Sequence, residues 1–292
     1  MSEHQEKPKR KNDDRQVEWA FDFANVGESV KNVFNNFAGE EEVHESSFTA
    51  SKAGVESARY EISFAAGKNT IGALDASSEY LMEAHLTHVG EIEFSEEGEA
   101  AKTVVIKQKQ AKGNVGSSFK QGMRALGSDK NLEWDVKVAT DIPASIDING
   151  GVGPTKVDLT GMNVTTLYMN AGVGKFTVIL PQQAEDVVVD LNTGVGQTQV
   201  YVPEGTSGVL DVNAGVGAVD ITIPPNAAVQ INAEGGIGSV DVPKSLKRMT
   251  KKEFMEMGGV FQSEGFELAE DRLIIHYNGG VGALHVREAE LV

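Results

Sequence analysis

His85 and His88 form a His-x-x-His pair, a spacing that invites a search for a metal. They sit in a stretch, Leu81 to Phe94, that reads as strand. On a strand, residues three apart face opposite sides, so the two rings cannot hold one ion. His276 and His285 stand apart from them. Glycine-rich phrases are the second candidate chemistry. A phosphate-cradling Gly-x-Gly-x-x-Gly needs a helix N-terminus after the glycines, and strand-like sequence follows them here every time. Gly150-Gly-Val-Gly153 and Gly279-Gly-Val-Gly282 match the first half of the calcium repeat Gly-Gly-x-Gly-x-Asp, but Thr155 and Leu284 stand where the Asp must be. Third come Asp147, Asp190 and Asp211, each two residues before Asn149, Asn192 and Asn213. Glycan-cleaving enzymes need carboxylates that converge in a groove. This row is regular instead, which suits asparagines hydrogen-bonded along a stack. No catalytic, cofactor-binding or metal-binding residue is expected, and a carbohydrate-active β-helix enzyme is kept as an alternative reading.

The elements that carry these residues repeat. The phrase Asn-x-Gly-(Val/Ile)-Gly, or a near variant, occurs with central glycines at Gly151, Gly172, Gly194, Gly215, Gly236 and Gly280. Each has a second glycine two residues on, at Gly153, Gly174, Gly196, Gly217, Gly238 and Gly282. The central glycines are spaced 21, 22, 21, 21 and 44, the last being two periods. A fixed period of this size marks stacked supersecondary units that bury their apolar faces only against one another. In Val209 to Pro224, Leu210, Val212, Val219, Ile221 and Ile223 should point inward, with Asp211, Asn213, Asp220 and Thr222 outward. Pro181, Pro203, Pro224 and Pro243 close successive coils, because proline lacks an amide for the ladder. The glycines supply a bend that must stack on the bend above, and the Val or Ile between them is expected to plug the core. The fold class is all-β: a parallel β-solenoid with 21–22 residues per coil, plus a short N-terminal amphipathic helix and a helical insertion near 244–257.

Domain organisation follows. Residues 1–15 read as a disordered tail and 16–39 as an amphipathic appendage. In the appendage Val17, Trp19, Phe21 and Phe23 alternate, then Val26, Val30, Val33, Phe34 and Phe37 fall at helical spacing. Trp19, Phe21, Phe23, Val30, Phe34 and Phe37 are the candidate face for capping the solenoid or meeting a partner. Lying on a membrane is the second reading of 17–37. Residues 40–54 read as a linker and 55–292 as the solenoid. Within it, Ala111 to Lys130 reads as a loop with a short helix, and Gly258 to Glu267 as a loop before a closing strand pair.

Formal charge is −17, from 26 Lys and Arg against 43 Asp and Glu, which argues against nucleic acid. There is no cysteine, hence neither disulfides nor thiolate metal sites. No apolar core follows the polar start, and no run reaches the ~18 apolar residues of a spanning helix. The expectation is a cytoplasmic chain with no signal peptide or transmembrane segment, peripheral membrane contact being confined to 17–37.

Trp134, the alternating strand after it, Pro143, Ile146 to Gly153, Val157-Asp-Leu-Thr-Gly161 and Leu167 to Gly174 resemble, in that order, the C-terminal toastrack domain of LiaF-like proteins. These are the cell wall-active antibiotic response proteins. Tyr60 to Gly67 and on to Ile106 resemble the entry part of that domain, so the resemblance covers about residues 55–288. It implies envelope-stress signalling through an unidentified protein partner, with no catalytic residue to carry over. Typical LiaF-like proteins have membrane-spanning helices before this domain, where this chain has Val17–Phe37. A non-enzymatic interaction scaffold is the main expectation. An adhesin-like or self-assembling structural protein is the first alternative.

Overall fold

Alternation of apolar and polar residues dictates two sheets that share one interior. The computed structural model describes residues 42–109, 131–182, 184–250 and 258–290. Among these, the strands form a ten-stranded and an eleven-stranded sheet. The first runs, in spatial order, β1 (Val43–Ser51), β4 (Tyr80–Val89), β7 (Glu133–Val138), β3 (Lys68–Ala73), β9 (Thr155–Asp158), β11 (Val173–Ile179), β13 (Val195–Tyr201), β15 (Val216–Ile223), β21 (Val281–Glu288) and β17 (Ile237–Asp241). The second runs β18 (Lys247–Arg248), β19 (Gly259–Gln262), β16 (Val229–Glu234), β20 (Leu273–Asn278), β14 (Gly208–Asn213), β12 (Val187–Asn192), β10 (Val164–Asn170), β8 (Ala144–Asn149), β2 (Ser57–Ser63), β6 (Ala101–Gln108) and β5 (Ile92–Glu97).

Each coil takes one strand from the second sheet, bends at the glycine phrase and continues as a strand of the first. Neighbouring coils pair parallel and in register, as in Asn170 with Asn192 and Gly174 with Gly196. Leu210, Val212, Val219, Ile221 and Ile223 all point into the shared core. Each such aliphatic side chain contributes about 1.5–3 kcal/mol when fully buried. Near the N-terminal end Trp134 is fully buried and meets Phe64 edge-on at 5.3 Å.

Coil order departs from chain order at both ends. The final coil, β20–β21, is inserted between β14–β15 and β16–β17. It was expected to close the stack; instead the fifth glycine phrase, around Gly236, stands outermost. Likewise β2–β3 lies between β6–β7 and β8–β9. Antiparallel strands finish the ends. β4 and β1 extend the first sheet beyond β7, and β5 pairs with β6. At the other end β19 and β18 extend the second sheet beyond β16.

Several expectations need correction. The supposed linker at 40–54 contains β1, nine residues paired antiparallel along β4, which extend the first sheet by one strand. The helical insertion is not found over Lys244–Thr250, which is a turn followed by β18. Leu246 is buried but Met249 is exposed, so the helical stripe does not exist. Residues 251–257 lie outside the described residues. The expected loop at 258–267 holds β19, whose Phe261 is buried, followed by a 3₁₀ turn at Phe266–Leu268. The tail at 1–15, the appendage at 16–39 with its helix, and the loop at 111–130 also lie outside the described residues.

Candidate functional site

The glycine corner is where the repeat concentrates its unusual chemistry. The six central glycines form one column, ordered Gly151, Gly172, Gly194, Gly215, Gly280 and Gly236, each packed against the backbone of the one before. Their partners Gly153, Gly174, Gly196, Gly217, Gly282 and Gly238 form a second column beside it. Gly217 shows why no other residue fits. Its φ is +140°, and a Cβ there would overlap the carbonyl oxygen of Gly196.

The Val or Ile between the glycines does not plug the core. Val152 is buried at 5% exposure, but Val195, Val216, Val281 and Ile237 are 44%, 48%, 49% and 71% exposed. The bend turns them outward because the core beneath is already filled by the strand residues that follow, such as Val219 and Leu284. Register aligns them into one apolar ladder: Val152 with Val173, then Val195, Val216, Val281 and Ile237.

Asparagines line one flank of the ladder. Asn170 donates to Asn149, Asn192 to Asn170, and Asn213 to Asn192, each at 3.1 Å. Farther out on the same sheet, Asp211 Oδ1 lies 2.7 Å from His276 Nδ1. On the other sheet Asp220 Oδ1 lies 3.1 Å from His285 Nδ1, and Asp220 Oδ2 accepts from Gln197. Both pairs join the inserted coil to the coil of Gly215. Sequence reading missed them, since 65 residues separate the partners. A signal was present: His276 precedes Asn278 by two residues, as Asp211 precedes Asn213.

Asp190, Asp211, His276, Asn232 and Glu234 line a groove of about 660 Å³ on the second sheet. The Asp211–His276 pair supplies two of the three members of a hydrolytic triad, which also needs a nucleophilic hydroxyl. The aliphatic hydroxyl in the lining, Thr250 Oγ1, accepts the amide of Val260. The lining can hydrogen-bond polar groups, and in it His276 is paired with Asp211 while Thr250 Oγ1 is held by the Val260 amide.

His85 and His88 lie on opposite faces of β4. His85 is exposed, with Nδ1 3.0 Å from Ser47 Oγ. His88 is buried, with Nε2 2.9 Å from Ser46 Oγ. Burial pushes the His88 ring below its ordinary pKa. Nearby His44 adds to this, and the polar backbone at Val89 and Gly90 partly offsets it. Tyr60, buried with its hydroxyl donating to Leu81 O, is pushed up by desolvation. No group of three His, Asp or Glu residues suited to a metal occurs among the described residues. The candidate face Trp19, Phe21, Phe23, Val30, Phe34 and Phe37 lies outside them.

Stacked parallel coils bent at a glycine corner define a toastrack-type β-solenoid. The chain belongs to the toast_rack family: the family model for the N-terminal domain of toast_rack, DUF2154, matches residues 37–201, more than half of the chain. No curated protein matches it. Among solved structures, a candidate cell adhesion protein from Clostridium sporogenes ATCC 15579 is similar in fold, with a TM-score of 0.55 and 20% identity over 85% of this chain and 100% of that one. A candidate adhesin from Bacteroides fragilis NCTC 9343 superposes with a TM-score of only 0.27, at 8% identity over 85% of this chain and 97% of that one. No helix among the described residues is long and apolar enough to cross a membrane.

Proposed function

We propose that this chain is a non-enzymatic protein-interaction module of the LiaF-like kind, serving an envelope-stress response from the cytoplasmic side. Its partner is a protein that adds a strand to β17. One observation carries this reading. The second sheet is finished at its C-terminal end by β19 and β18, whereas the first sheet stops at β17 with Ile237 71% exposed and no further strand among the described residues. An open parallel edge with an apolar side chain is a template for strand addition. Asp241 closes this strand, so the partner strand meets a negative charge at that end.

The test is capture from the native organism with the full chain and with Ile237→Lys. A partner retained by the first and lost by the second supports the reading; equal capture by both contradicts it. A second reading is end-to-end self-association, favoured because β1 and β17, the two edges of the first sheet, run in the same direction. The Clostridium sporogenes protein of similar fold is described as a candidate cell adhesion protein. Particle size that grows with concentration would favour it over a foreign partner.

A further inference from the structure

The ladder of Val195, Val216, Val281 and Ile237 is an exposed apolar stripe that crosses several coils. At its other end the corresponding positions are covered by the chain itself. Ala66, Val89 and Leu132 form a small buried cluster there, and Val152 is buried beside it. Among the described residues, coverage therefore stops partway along the corner.

The described chain begins on this same row. Val43 pairs with Val89, three residues beyond Leu86, and Leu86 pairs with Trp134. Trp134 pairs with Asn69, Asn69 with Thr155 and Thr155 with Phe176, three residues after Val173. Register thus places Val43 level with Val173 and Val216. Val216 lies seven strands from Val43, about 34 Å at about 4.8 Å per strand. The sequence before Val43 offers a matching length. Four extended steps from 43 to 39 and thirteen helical rises from 39 back to 26 span about 33 Å. That would bring Val26 opposite Val216, with Val30, Phe34 and Phe37 on the covered side and Phe23, Phe21 and Trp19 toward Ile237.

Charge agrees. Residues 16–39 carry Glu18, Asp22 and Glu28 against Lys31, and the flank of the ladder is a row of neutral asparagines. An anionic membrane surface would instead meet a chain of net charge −17. We infer that residues 17–37 of the same chain dock along the Val195–Val216–Val281–Ile237 ladder, so that the glycine corner is the seat of the N-terminal segment. A docked segment would also lie over Ile237, which the β17 edge reading uses, so docking is probed at Val216, two strands inside that edge, where the failure of one reading leaves the other standing.

The absence of cysteine makes the test direct. Full-length chains carry Val216→Cys together with Phe23→Cys, Val26→Cys or Val30→Cys. The control carries Glu204→Cys, on the opposite, proline corner, with the same N-terminal substitutions. Mild oxidation should link the ladder variants within one chain about tenfold more than the control, because docking raises the local concentration of the two thiols. Linkage only between chains would assign the ladder to a second copy and overturn the proposal, as would no linkage or equal linkage in the control. A second readout uses Val216→Asp in the full chain. Trypsin cleavage after Lys31 should accelerate about tenfold when docking is lost, since cleavage follows the open population. An unchanged rate would also overturn the proposal.

Discussion

Val216 lies beside Val281 in register, although Ile237 occupies the next phrase in the sequence. Ile237 is one strand farther out, beside Val281. The stack is therefore locked by its C-terminus: the last coil enters between two coils that were made before it. Removing residues 270–292 should not merely trim one end. It should strip β14 and β15 of their outer neighbours and leave β16 and β17 without a sheet to join. Expected is loss of cooperative unfolding and aggregation; a truncated chain that melts in one transition close to the parent would contradict this.

Gly217→Ala should destabilise the fold by about 2–4 kcal/mol, since the new Cβ meets the carbonyl of Gly196 at a φ that L-residues avoid. Gly72→Ala, in β3 with open space around the built Cβ, should leave stability within ~0.5 kcal/mol of the parent or above it. Urea midpoints measure both. Equal effects would mean that the corner column is not the constraint described.

His88 gives a pH dependence with a defined sign. Its folded pKa is depressed by burial, so the unfolded state binds the proton more readily. Stability from the neutral buried ring is present above the ordinary value of about 6.5 and is lost as pH falls through the lower folded value. His44, whose ring lies 5.9 Å away, adds to the penalty when charged. Between pH 7.5 and 5, the parent should lose more of its urea midpoint than His88→Gln. The same loss in both would remove His88 from the account.

Much of the corner was legible in sequence, and the reason is local. The glycine columns and the inward Leu210, Val212, Val219 and Ile221 follow from a bend and a period of two, which neighbouring residues specify. The asparagine ladder follows from the same register. Coil order was not legible: nothing near Gly236 or Gly280 encodes which is outermost, because either order buries the same faces. The outward Val216 and Val281 were misjudged because an apolar residue between glycines looks like core, and only the filled interior beneath turns it out. Strand β18 was mistaken for helix because the spacing of Leu246 and Met249 fits a helix, while pairing with Phe261 through Arg248 decides the matter. The two His–Asp pairs escaped notice because the partners adjoin only once the last coil is inserted.

Among the exposed ladder residues, Ile237→Lys should lower partner capture or concentration-dependent growth, while leaving the unfolding free energy within ~0.5 kcal/mol of the parent, because the side chain is exposed. A large loss of stability would show that Ile237 is packed in solution.

The inserted coil can be tested most directly with cysteine pairs in a chain that has none. Adjacent in-register strands lie about 4.8 Å apart and can be bridged, whereas two strand spacings exceed the ~7 Å limit for a disulfide. Val216→Cys with Val281→Cys should oxidise to an internal disulfide, and Val216→Cys with Ile237→Cys should not. A disulfide in the second pair and none in the first would show that the coils stack in chain order, contrary to the fold described.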